Sequence, residues 1–543
     1  MMIGMTRLYS LTAILLLSAS CSLRIPGEPE TVTLRLEAAM EETGSRAGVQ
    51  EDGTVLWQTG DKIAVLLDND SVAALTLESG AGSNIATFSG EIPAARSFAG
   101  KAGYPWWDGA WSGLEGELVL TLPASVPWPG NDYIPAVMKA SSASDALSFR
   151  HEGAILEFTV KDMPDCVSSF RFSTSGGAVM GRNDFSYTFT PSAGHRVFRV
   201  PVVAGTLPAY TLSLLDVSGG EVVSKRKSKS TSVQRCDYRC LTPLSVKASG
   251  KIRLLYYNVL NGMERDAGNG YEHFAAWVRS LAPDVLMLAE AGDLDDVAPL
   301  WGHAYAAKIS LDNYPLVVTS SHSLPCLQRI SNPGTVCHGA LHVRMDDRYD
   351  IVALHLRPTL DDNQSGKLDP EEYAKYGALR KTELSYILSR TLDNSAYASV
   401  KNWIFCGDFN AYSPQEKTAV SPYNGLPAYT YSEPTASVCY EVYPLIADKL
   451  KDVIWYKHAG AFKPSMYHSR SRLDYFFVSD GLYSRVAAAD VVLGGFPGNY
   501  NSSDVNPSDH MPLLMDLTTY SFKVLDGTCT LSDWDEEALF DEE

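Results

Sequence analysis

Five short stretches in the second half of the sequence place polar side chains directly after apolar runs. They are residues 256–262 (YYNVLNG) with Asn258, Val285–Ala289 followed by Glu290, residues 351–354 followed by His355, residues 403–410 (WIFCGDFN) with Asp408 and Asn410, and residues 472–477 (RLDYFF) with Asp474, ahead of Ser508, Asp509 and His510. An apolar strand that ends in an acid or an imidazole presents reactive groups at one rim of a sheet while its body stays buried. Taken singly, each such residue is more often a turn, a cap or a satisfied polar group, so the interpretation depends on the whole set.

The order and spacing of these motifs resemble the endonuclease/exonuclease/phosphatase superfamily. Its members include pancreatic deoxyribonuclease, abasic-site endonucleases, neutral sphingomyelinases, inositol polyphosphate phosphatases and deadenylases. The resemblance covers about Lys251 to Leu517, and the spacing between GDFN, RLDYFF and SDH follows the family closely. It implies an α/β two-sheet sandwich of the DNase type, with the site residues in one cleft, and a metal-dependent phosphoric ester hydrolase.

Hydrolysis of a phosphate ester would require these residue types. The ester is anionic and repels hydroxide, so the enzyme must neutralise the phosphate, activate a water molecule and stabilise the leaving oxygen. Oxygen ligands hold Mg²⁺ or Mn²⁺, and Mg²⁺ uses one or two carboxylates while it keeps several waters. Glu290 fits the ligand role best, Asn258 can add an amide oxygen, and Asp509 can bind directly or through water. We therefore expect Mg²⁺ or Mn²⁺ as the cofactor.

The resemblance also implies catalytic roles. Asp408 and Asn410 orient the attacking water and the phosphoryl oxygens, with Asp408 as the leading candidate for the general base. His510 pairs with Asp474, which fixes the tautomer of the imidazole and supports its charged form. This pair serves either as a base or as a phosphate clamp.

On the substrate side, His355 matches the histidine that contacts the scissile phosphate in the deoxyribonuclease, sphingomyelinase and inositol-phosphatase branches. Arg357 is expected to bind the substrate phosphate, with a surface salt bridge as the alternative. The sequence also departs from the family, because His338 stands where a basic residue is common and His322 follows two serines where many relatives have a Ser-Arg pair. These departures concern the identity of the substrate more than the reaction.

The elements that must position these residues follow from the hydrophobic pattern. Beyond residue 250, apolar strands alternate with amphipathic helices, which indicates an α/β layer architecture. Helical spacing is clearest at Phe274, Trp277, Val278 and Leu281, and again at Tyr376, Leu379, Ile387 and Leu388. We expect residues 251–520 to form this domain, after a short linker at residues 247–250.

The preceding region has a different pattern. Short alternating runs at Lys62–Leu67 and at residues 117–122, 154–160 and 196–203 are separated by turn clusters rich in Gly, Ser, Asn and Asp, which predicts an all-β sandwich over residues 22–246. The order of WQTGDKI at 57–63, FSG at 88–90, Tyr104-Pro105, residues 133–138 and GAILEF at 153–158 resembles the fimbrillin-like domains of Bacteroidota lipoproteins. In that family such domains build fimbriae or act as adhesion and spacer modules.

The N-terminus reads as a targeting segment. The apolar run at residues 8–19 follows Arg7 and is too short to span a bilayer, as in a signal peptide. It ends in Leu17-Ser18-Ala19-Ser20-Cys21, which resembles a lipobox, so residues 1–21 are expected to be a lipoprotein signal peptide with Cys21 as the lipidated residue. The alternative is a plain secreted protein. The expected location is the cell envelope, lipid-anchored in the outer membrane and facing either the periplasm or the outside.

Composition narrows the function. A chain of 543 residues with 45% hydrophobic and 20% charged residues is globular and has room for more than one domain. With a net charge of −19, the chain lacks the general electrostatic attraction that drives non-specific nucleic-acid binding. Residues 521–543 are expected to form an acidic, solvated tail.

The leading hypothesis is an exported phosphoesterase, with a nuclease narrowly favoured. The alternatives are a phospholipid, sphingolipid, inositol-phosphate or sugar-phosphate hydrolase, or a non-catalytic surface adhesion protein.

Overall fold

The computed structural model describes residues 30–40, 56–131, 136–142, 146–268, 270–364, 366, 368–416, 440–466, 471–492 and 508–525. The predicted signal peptide with Cys21 and the acidic stretch at residues 533–543 lie outside the described residues. The chain divides into two compact units, the first with described residues 30–40, 56–120 and 137–151, and the second with residues 121–136 and 152–525. Among the described residues, no helix is both long and apolar enough to cross a membrane.

The strands of the first part of the chain are short. They are β1 (Thr31–Met40), β2 (Lys62–Leu67), β3 (Val72–Ser79), β4 (Ile85–Pro93), β5 (Phe98–Tyr104), β6 (Trp111–Leu114), β7 (Glu117–Leu120), β8 (Ser125–Pro127), β9 (Met138–Ser141) and β10 (Ala146–His151). All except β8 belong to the first unit. Seven of them close into a barrel in the order β1-β10-β9-β5-β2-β3-β4, and β4 pairs back onto β1.

The barrel closes around Trp57, which is fully buried. Its ring meets Phe88, Tyr104 and Phe149 edge-on, with ring centroids 4.8, 5.2 and 5.6 Å away. Edge-to-face contacts of this kind add to the hydrophobic stabilisation. The first unit is therefore all-β, as predicted, but its strands form a barrel, whereas one sandwich was expected over residues 22–246. Alternation of apolar and polar residues is the same in both architectures, and the fimbrillin-like assignment stays a prediction.

The second unit begins with further strands and continues into a region with helices. Its remaining strands are β11 (Gly153–Met163), β12 (Ser169–Ser173), β13 (Asp184–Thr188), β14 (Gly194–Val203), β15 (Gly205–Leu207), β16 (Tyr210–Leu215), β17 (Glu221–Lys227), β18 (Thr231–Val233), β19 (Tyr238–Cys240), β20 (Leu244–Asn258), β21 (Val285–Ala289), β22 (Tyr305–Ile309), β23 (Leu316–Ser320), β24 (Cys326–Ile330), β25 (Ala340–Met345), β26 (Tyr349–His355), β27 (Trp403–Asp408), β28 (Lys451–Asp452), β29 (Asp474–Val478), β30 (Val486–Val491) and β31 (Leu513–Val524). Its helices are α1 (Leu260–Ala267), α2 (Glu272–Leu281), α3 (Pro370–Arg390), α4 (Tyr443–Ala447), α5 (Val453–Lys457) and α6 (Asp480–Tyr483), with 3₁₀ turns at Ala298–Trp301, Ser395–Tyr397 and Pro414–Glu416.

Two packed sheets form the predicted α/β sandwich. The first contains β20, β21, β22, β23, β30 and β31, and the second has the order β24-β25-β26-β27-β29-β28. One continuous core of apolar side chains from both sheets, including Met287 and Phe476, lies between them. Helix α2 covers the outer face of the first sheet, and helices α3 and α4 cover that of the second. The prediction of a two-sheet α/β sandwich is confirmed.

The predicted linker at residues 247–250 is wrong. These residues lie within β20, which pairs antiparallel with β31 along its length and parallel with β11 near its start. Gly250 suggested a flexible break, but it stands at a bulge where the pairing register shifts. A bulge accommodates one extra residue without ending a strand. Strand β31 runs to Val524, into the segment expected to be the tail.

Residues 152–246 consequently belong to the same compact unit as the α/β sandwich. Buried Arg485 donates to the Tyr349 hydroxyl at 2.7 Å and reaches the Glu221 carbonyl at 3.4 Å. Buried Asp216 lies against α6, where its Oδ1 accepts the backbone N–H groups of Ser218 and Gly220, both at 2.9 Å. These residues, 152–246, are called the β-region below. A shared strand and buried polar contacts connect the β-region to the α/β layers.

This packing can be tested at Gly481. A Cβ atom at this position would overlap the carboxylate of Asp216, which its backbone donors hold in place. Gly481→Ala should therefore lower the free energy of unfolding by about 1–3 kcal/mol, the usual cost of overpacking. Urea unfolding monitored by tryptophan fluorescence measures it. Gly268→Ala is the matched control, because a Cβ atom at residue 268 would have no neighbour within 4 Å. Equal stability of the two variants would mean that the Asp216 contact is not tight.

Candidate active site

Strand pairing brings the predicted residues to neighbouring strand ends. In the first sheet, Asn258 at the end of β20 is in register with Ala289, which precedes Glu290. In the second sheet, Asp408 at the end of β27 pairs with His355 on one side and with Asp474 on the other. The register of each sheet therefore sets which side chains are neighbours.

Asn258 joins the two sheets. It is fully buried, and its Nδ2 donates to Glu290 Oε1 at 3.1 Å and to Asp408 Oδ2 at 3.3 Å. The same nitrogen lies 3.5 Å from His510 Nε2. Its Oδ1 accepts the backbone N–H of Leu260 at 3.2 Å, so Asn258 would have to turn its amide oxygen toward Glu290 to ligate a cation there.

The GDFN turn orients Asp408. Asn410 has a positive φ of 47°, a left-handed conformation that Asn tolerates better than most residues. Its backbone N–H donates to Asp408 Oδ1 at 2.8 Å, and its side-chain Nδ2 donates to the carbonyl of Leu356 at 2.9 Å. The turn thus leaves Asp408 Oδ2 for the site, 3.6 Å from the Nε2 atoms of both His355 and His510.

Asp474 and His510 form the pair that the sequence predicted, although 36 positions separate them. His510 Nδ1 lies 2.8 Å from Asp474 Oδ2, and both side chains are buried. Ser465 Oγ donates to the same carboxylate oxygen at 2.6 Å and accepts the backbone N–H of Asp474 at 3.1 Å. Sequence reasoning missed Ser465, and no motif there could have identified it.

Asp408, Asp474 and His510 form a buried cluster in which the charge of each group shifts the pKa of its neighbours. Burial, followed by repulsion from Asp474, raises the pKa of Asp408 to about 8. Burial alone would lower the pKa of His510, but the charges of Asp474, Asp408 and Asp509 together raise it to about 10. Without a cation, the cluster therefore favours a protonated His510 and makes Asp408 easier to protonate than an ordinary carboxylate.

Two carboxylates near Asn258 offer oxygen donors that suit a hard cation. They are Glu290, which contacts the Asn258 side chain, and Asp509, which follows Ser508, whose Oγ donates to the Asn258 carbonyl at 2.7 Å. Glu290 follows its strand with a positive φ of 55°, an unfavourable backbone conformation for this residue that turns its carboxylate toward Asn258. Asp509 Oδ1 has no hydrogen-bond partner among the described residues, although it lies 4.0 Å from His510 Nε2 and the Asp509 side chain is 42% exposed. An unpartnered carboxylate oxygen is costly unless a cation or water binds it. The donor set of Glu290, Asp509 and the Asn258 amide thus fits Mg²⁺ or Mn²⁺.

Asp408, Asp474 and His510 also offer ligand atoms within 4.8 Å of one another. In that cluster, however, the Asp474 oxygen already serves His510 and Ser465. The cationic imidazole neutralises the carboxylates without a metal. The oxygen donors at Glu290 therefore fit a cation better than this cluster does.

His355 lies at the site without an anchor of its own. Its Nδ1 is buried and has no hydrogen-bond partner in the described part of the chain. Burial, with the neighbouring His338 and His510, places its pKa well below the ordinary value. The His338 ring stacks on it with centroids 4.3 Å apart, and His338 Nδ1 lies 2.6 Å from Asp312 Oδ2. Burial lowers the pKa of His338 despite this contact.

Arg357 is not joined to the cluster by a hydrogen bond or ion pair of the described residues. Its backbone N–H donates to Glu383 Oε2 at 3.0 Å, and its side-chain Nε is buried without a partner among those residues. The surface salt bridge considered as an alternative is absent from the described structure, and the phosphate contact stays a prediction. Glu383, which the sequence did not single out, also accepts the backbone N–H of Cys337 at 2.7 Å.

The segment that carries this geometry is similar to a known enzyme family. Residues 255–510 match the Endonuclease/Exonuclease/phosphatase family. The matched segment begins within β20 and ends at His510, so it contains every predicted catalytic and metal-binding residue. This match supports the predicted superfamily for the α/β sandwich.

Solved structures of AP endonucleases are similar to this chain at low identity. One from Archaeoglobus fulgidus has a TM-score of 0.36 and 14% identity, covering 49% of this chain and 99% of its own. One from Leishmania major has a TM-score of 0.35 and 16% identity, covering 50% of this chain and 88% of its own. No curated protein matches the sequence.

The charge of His510 gives a direct test of the cluster. In chelator-treated protein, NMR of the imidazole ring should show His510 protonated until the pH approaches about 10. Asp474→Asn removes the strongest opposing charge while keeping the shape, so the titration midpoint should fall by about 1–3 units. Asp346→Asn is the control, because Asp346 contacts His322 at 2.8 Å and should leave His510 unchanged. An unaltered midpoint in Asp474→Asn would contradict the pairing.

Proposed function

We propose that the α/β sandwich hydrolyses phosphate esters with the help of a divalent cation. The observation that carries the proposal is the convergence of Asp408, Asp474 and His510 with Asn258 and Glu290, through contacts of 2.8–3.6 Å. The match of residues 255–510 to the phosphoesterase family supports the same reaction class. A site with an acidic cation pocket on one side and a charged imidazole on the other suits a phosphoryl group.

The cation would be held by Glu290, with Asp509 and the Asn258 amide oxygen as further donors. When bound, Mg²⁺ or Mn²⁺ supplies positive charge that neutralises the phosphate and stabilises the leaving oxygen. The left-handed backbone at Glu290 turns its carboxylate toward Asn258, whose amide oxygen would turn to this side when a cation binds.

Asp408 is the proposed general base. Its Oδ1 is engaged by the Asn410 backbone, so Oδ2 is the atom that accepts a proton from the attacking water. A base must be ionised to act, and its raised pKa of about 8 lies close to neutral pH, where a general base is most effective. A cation bound at Glu290 would favour the ionised form of Asp408 and move its pKa downward.

His510 and His355 are the proposed phosphate contacts. The Asp474 carboxylate keeps His510 cationic, so its Nε2–H can donate to a phosphoryl oxygen as negative charge develops. His355 lies across Asp408 from it, and its low pKa makes it a neutral hydrogen-bond partner for the substrate. Arg357 is the proposed additional substrate-binding residue.

The favoured substrate class is nucleic acid, by a narrow margin. The net charge of −19 argues against broad electrostatic attraction to a polyanion, so binding would depend on the cation and on the few bases at the site. Phospholipids, sphingomyelin, inositol phosphates and sugar phosphates are the other classes that the same chemistry can serve.

A panel of substrates tests the proposal. The mature chain should release product from plasmid DNA, RNA, sphingomyelin, phospholipids or inositol phosphates with Mg²⁺ or Mn²⁺, and a chelator should abolish this release. Glu290→Gln should be impaired at low metal and recover in part at high metal, since mass action offsets weaker affinity. His510→Ala should lose about 10²–10⁴-fold in turnover without recovery.

His322→Ala is the matched control, because this partly exposed histidine pairs with Asp346 away from the cluster. It should keep normal turnover. Full activity of Glu290→Gln at low metal would show that the ligand role belongs to another residue. Hydrolysis that persists in the chelator would refute cation dependence.

We further propose that the protein is exported and anchored in the cell envelope, in the outer membrane, by lipidation of Cys21. The support is the sequence alone, namely the apolar run at residues 8–19 and the lipobox-like residues before Cys21. Cys21→Ser in the full-length chain should shift the protein from the membrane fraction to the soluble fraction. Cys326→Ser should leave the fractionation unchanged. Membrane association of the Cys21→Ser variant equal to that of wild type would remove the lipoprotein assignment.

A further inference from the structure

A second ligand cluster lies beside the proposed hydrolytic site and has no role in the reaction described above. Asp312, Cys337 and His338 each offer one ligand atom, and these atoms all lie within 4.8 Å of one another. We propose that this cluster binds a divalent transition-metal cation such as Zn²⁺ or Co²⁺. The ligands would be the Cys337 thiolate, a nitrogen of His338 and a carboxylate oxygen of Asp312.

The donor types separate this cluster from the oxygen site at Glu290. A thiolate and an imidazole are preferred by Zn²⁺ and related cations, whereas Mg²⁺ takes oxygen ligands. Three protein ligands with a position left for water or an anion is a common arrangement for zinc. The two sites would therefore select different cations from the same solution.

The three ligands come from two separate segments of the second unit, Asp312 from one and the adjacent Cys337 and His338 from the other. Cys337 is a free thiol, and its backbone N–H donates to the buried Glu383 carboxylate at 2.7 Å. Asp312 lies between β22 and β23, where its Oδ1 accepts the backbone N–H of Tyr314 at 2.9 Å. Its side chain is 33% exposed, so it can adjust to a cation.

His338 supplies a second, independent observation. Its side chain is only 4% exposed, and its Nε2 is buried without a hydrogen-bond partner among the described residues. Its other nitrogen is anchored on Asp312 at 2.6 Å. This nitrogen is thus already held beside a carboxylate oxygen that would share the cation with it.

The three ligands together place the cation at Nδ1 of His338, because Asp312 Oδ2 lies 2.6 Å from that nitrogen. There the cation would replace the proton shared with Asp312. Cys337 would supply the thiolate, which gives the site a distinct optical signature.

The position of the cluster gives it access to the hydrolytic site. The His338 ring stacks on His355 with centroids 4.3 Å apart and an interplanar angle of 24°. A cation on His338 would place positive charge beside His355, which opposes protonation of that imidazole and attracts an anionic substrate. Occupancy of the cluster would thus modulate the neighbouring site.

Cobalt spectroscopy tests the proposal without any assay of activity. Co²⁺ added to the mature protein in excess Mg²⁺ should produce a near-ultraviolet thiolate-to-cobalt charge-transfer band that saturates at one equivalent and is removed by Zn²⁺. Cys337→Ser should lose the band. Cys326→Ser, which removes another partly buried free thiol, should keep it, and so should Glu290→Gln.

Asp312→Asn provides a second variant, because it preserves the thiol and replaces the ligand carboxylate with a neutral amide. Its affinity for Co²⁺ should fall by about 10–100-fold while the band keeps its shape. Circular dichroism verifies that each variant is folded. Absence of the band in wild type, or its persistence in folded Cys337→Ser, would overturn the proposal. Loss of hydrolytic activity with the band intact would instead count against the proposed function alone.

Discussion

The site contains two buried carboxylates on adjacent strands, and its other residues must offset the repulsion between them. Asp408 and Asp474 are paired in register at one end of the second sheet, and both are almost fully shielded from water. Like charges this close cannot both be ionised cheaply in a buried environment. The imidazole of His510 lies 2.8 Å from Asp474 and 3.6 Å from Asp408 and offsets part of this repulsion. Burial and the remaining repulsion raise the pKa of Asp408.

This solution requires the two sheets to be held at a fixed distance. Asn258 and Glu290 come from the first sheet, whereas Asp408 and Asp474 come from the second, and Asn258 donates across the gap. The apolar core between the sheets sets that distance, and close packing allows little adjustment. A site of this kind depends on positioning to within a fraction of an ångström, so the packing of the core is required for the geometry of the site. Strand β20 adds a second constraint, because it begins beside β11 in the β-region, continues along β31 and delivers Asn258 at its end. The described residues from 152 onward therefore belong to one compact unit, not to a spacer followed by a separate domain.

Much of the site was determined by the sequence alone. Asn258, Glu290, His355, Asp408 and Asn410 each end or follow an apolar run, and strand ends in a layered α/β fold meet at common rims. The SDH motif placed His510 near Asp474 through its spacing in the family. Local pattern was sufficient here, because alternation and apolar length specify a strand and its end wherever it is placed in the fold.

Tertiary structure decided what local pattern cannot encode. Ser465 supports Asp474 only because the chain returns to that carboxylate, and Asp312 meets His338 from a separate loop. The predicted linker at residues 247–250 proved to be part of a strand. The local sequence could not show this, because the residues it pairs with lie more than 260 positions away in β31. The charge states of Asp408 and His510 likewise follow from burial and from contacts between distant segments. Each of these features depends on which surfaces meet, and that is a property of the folded chain as a whole.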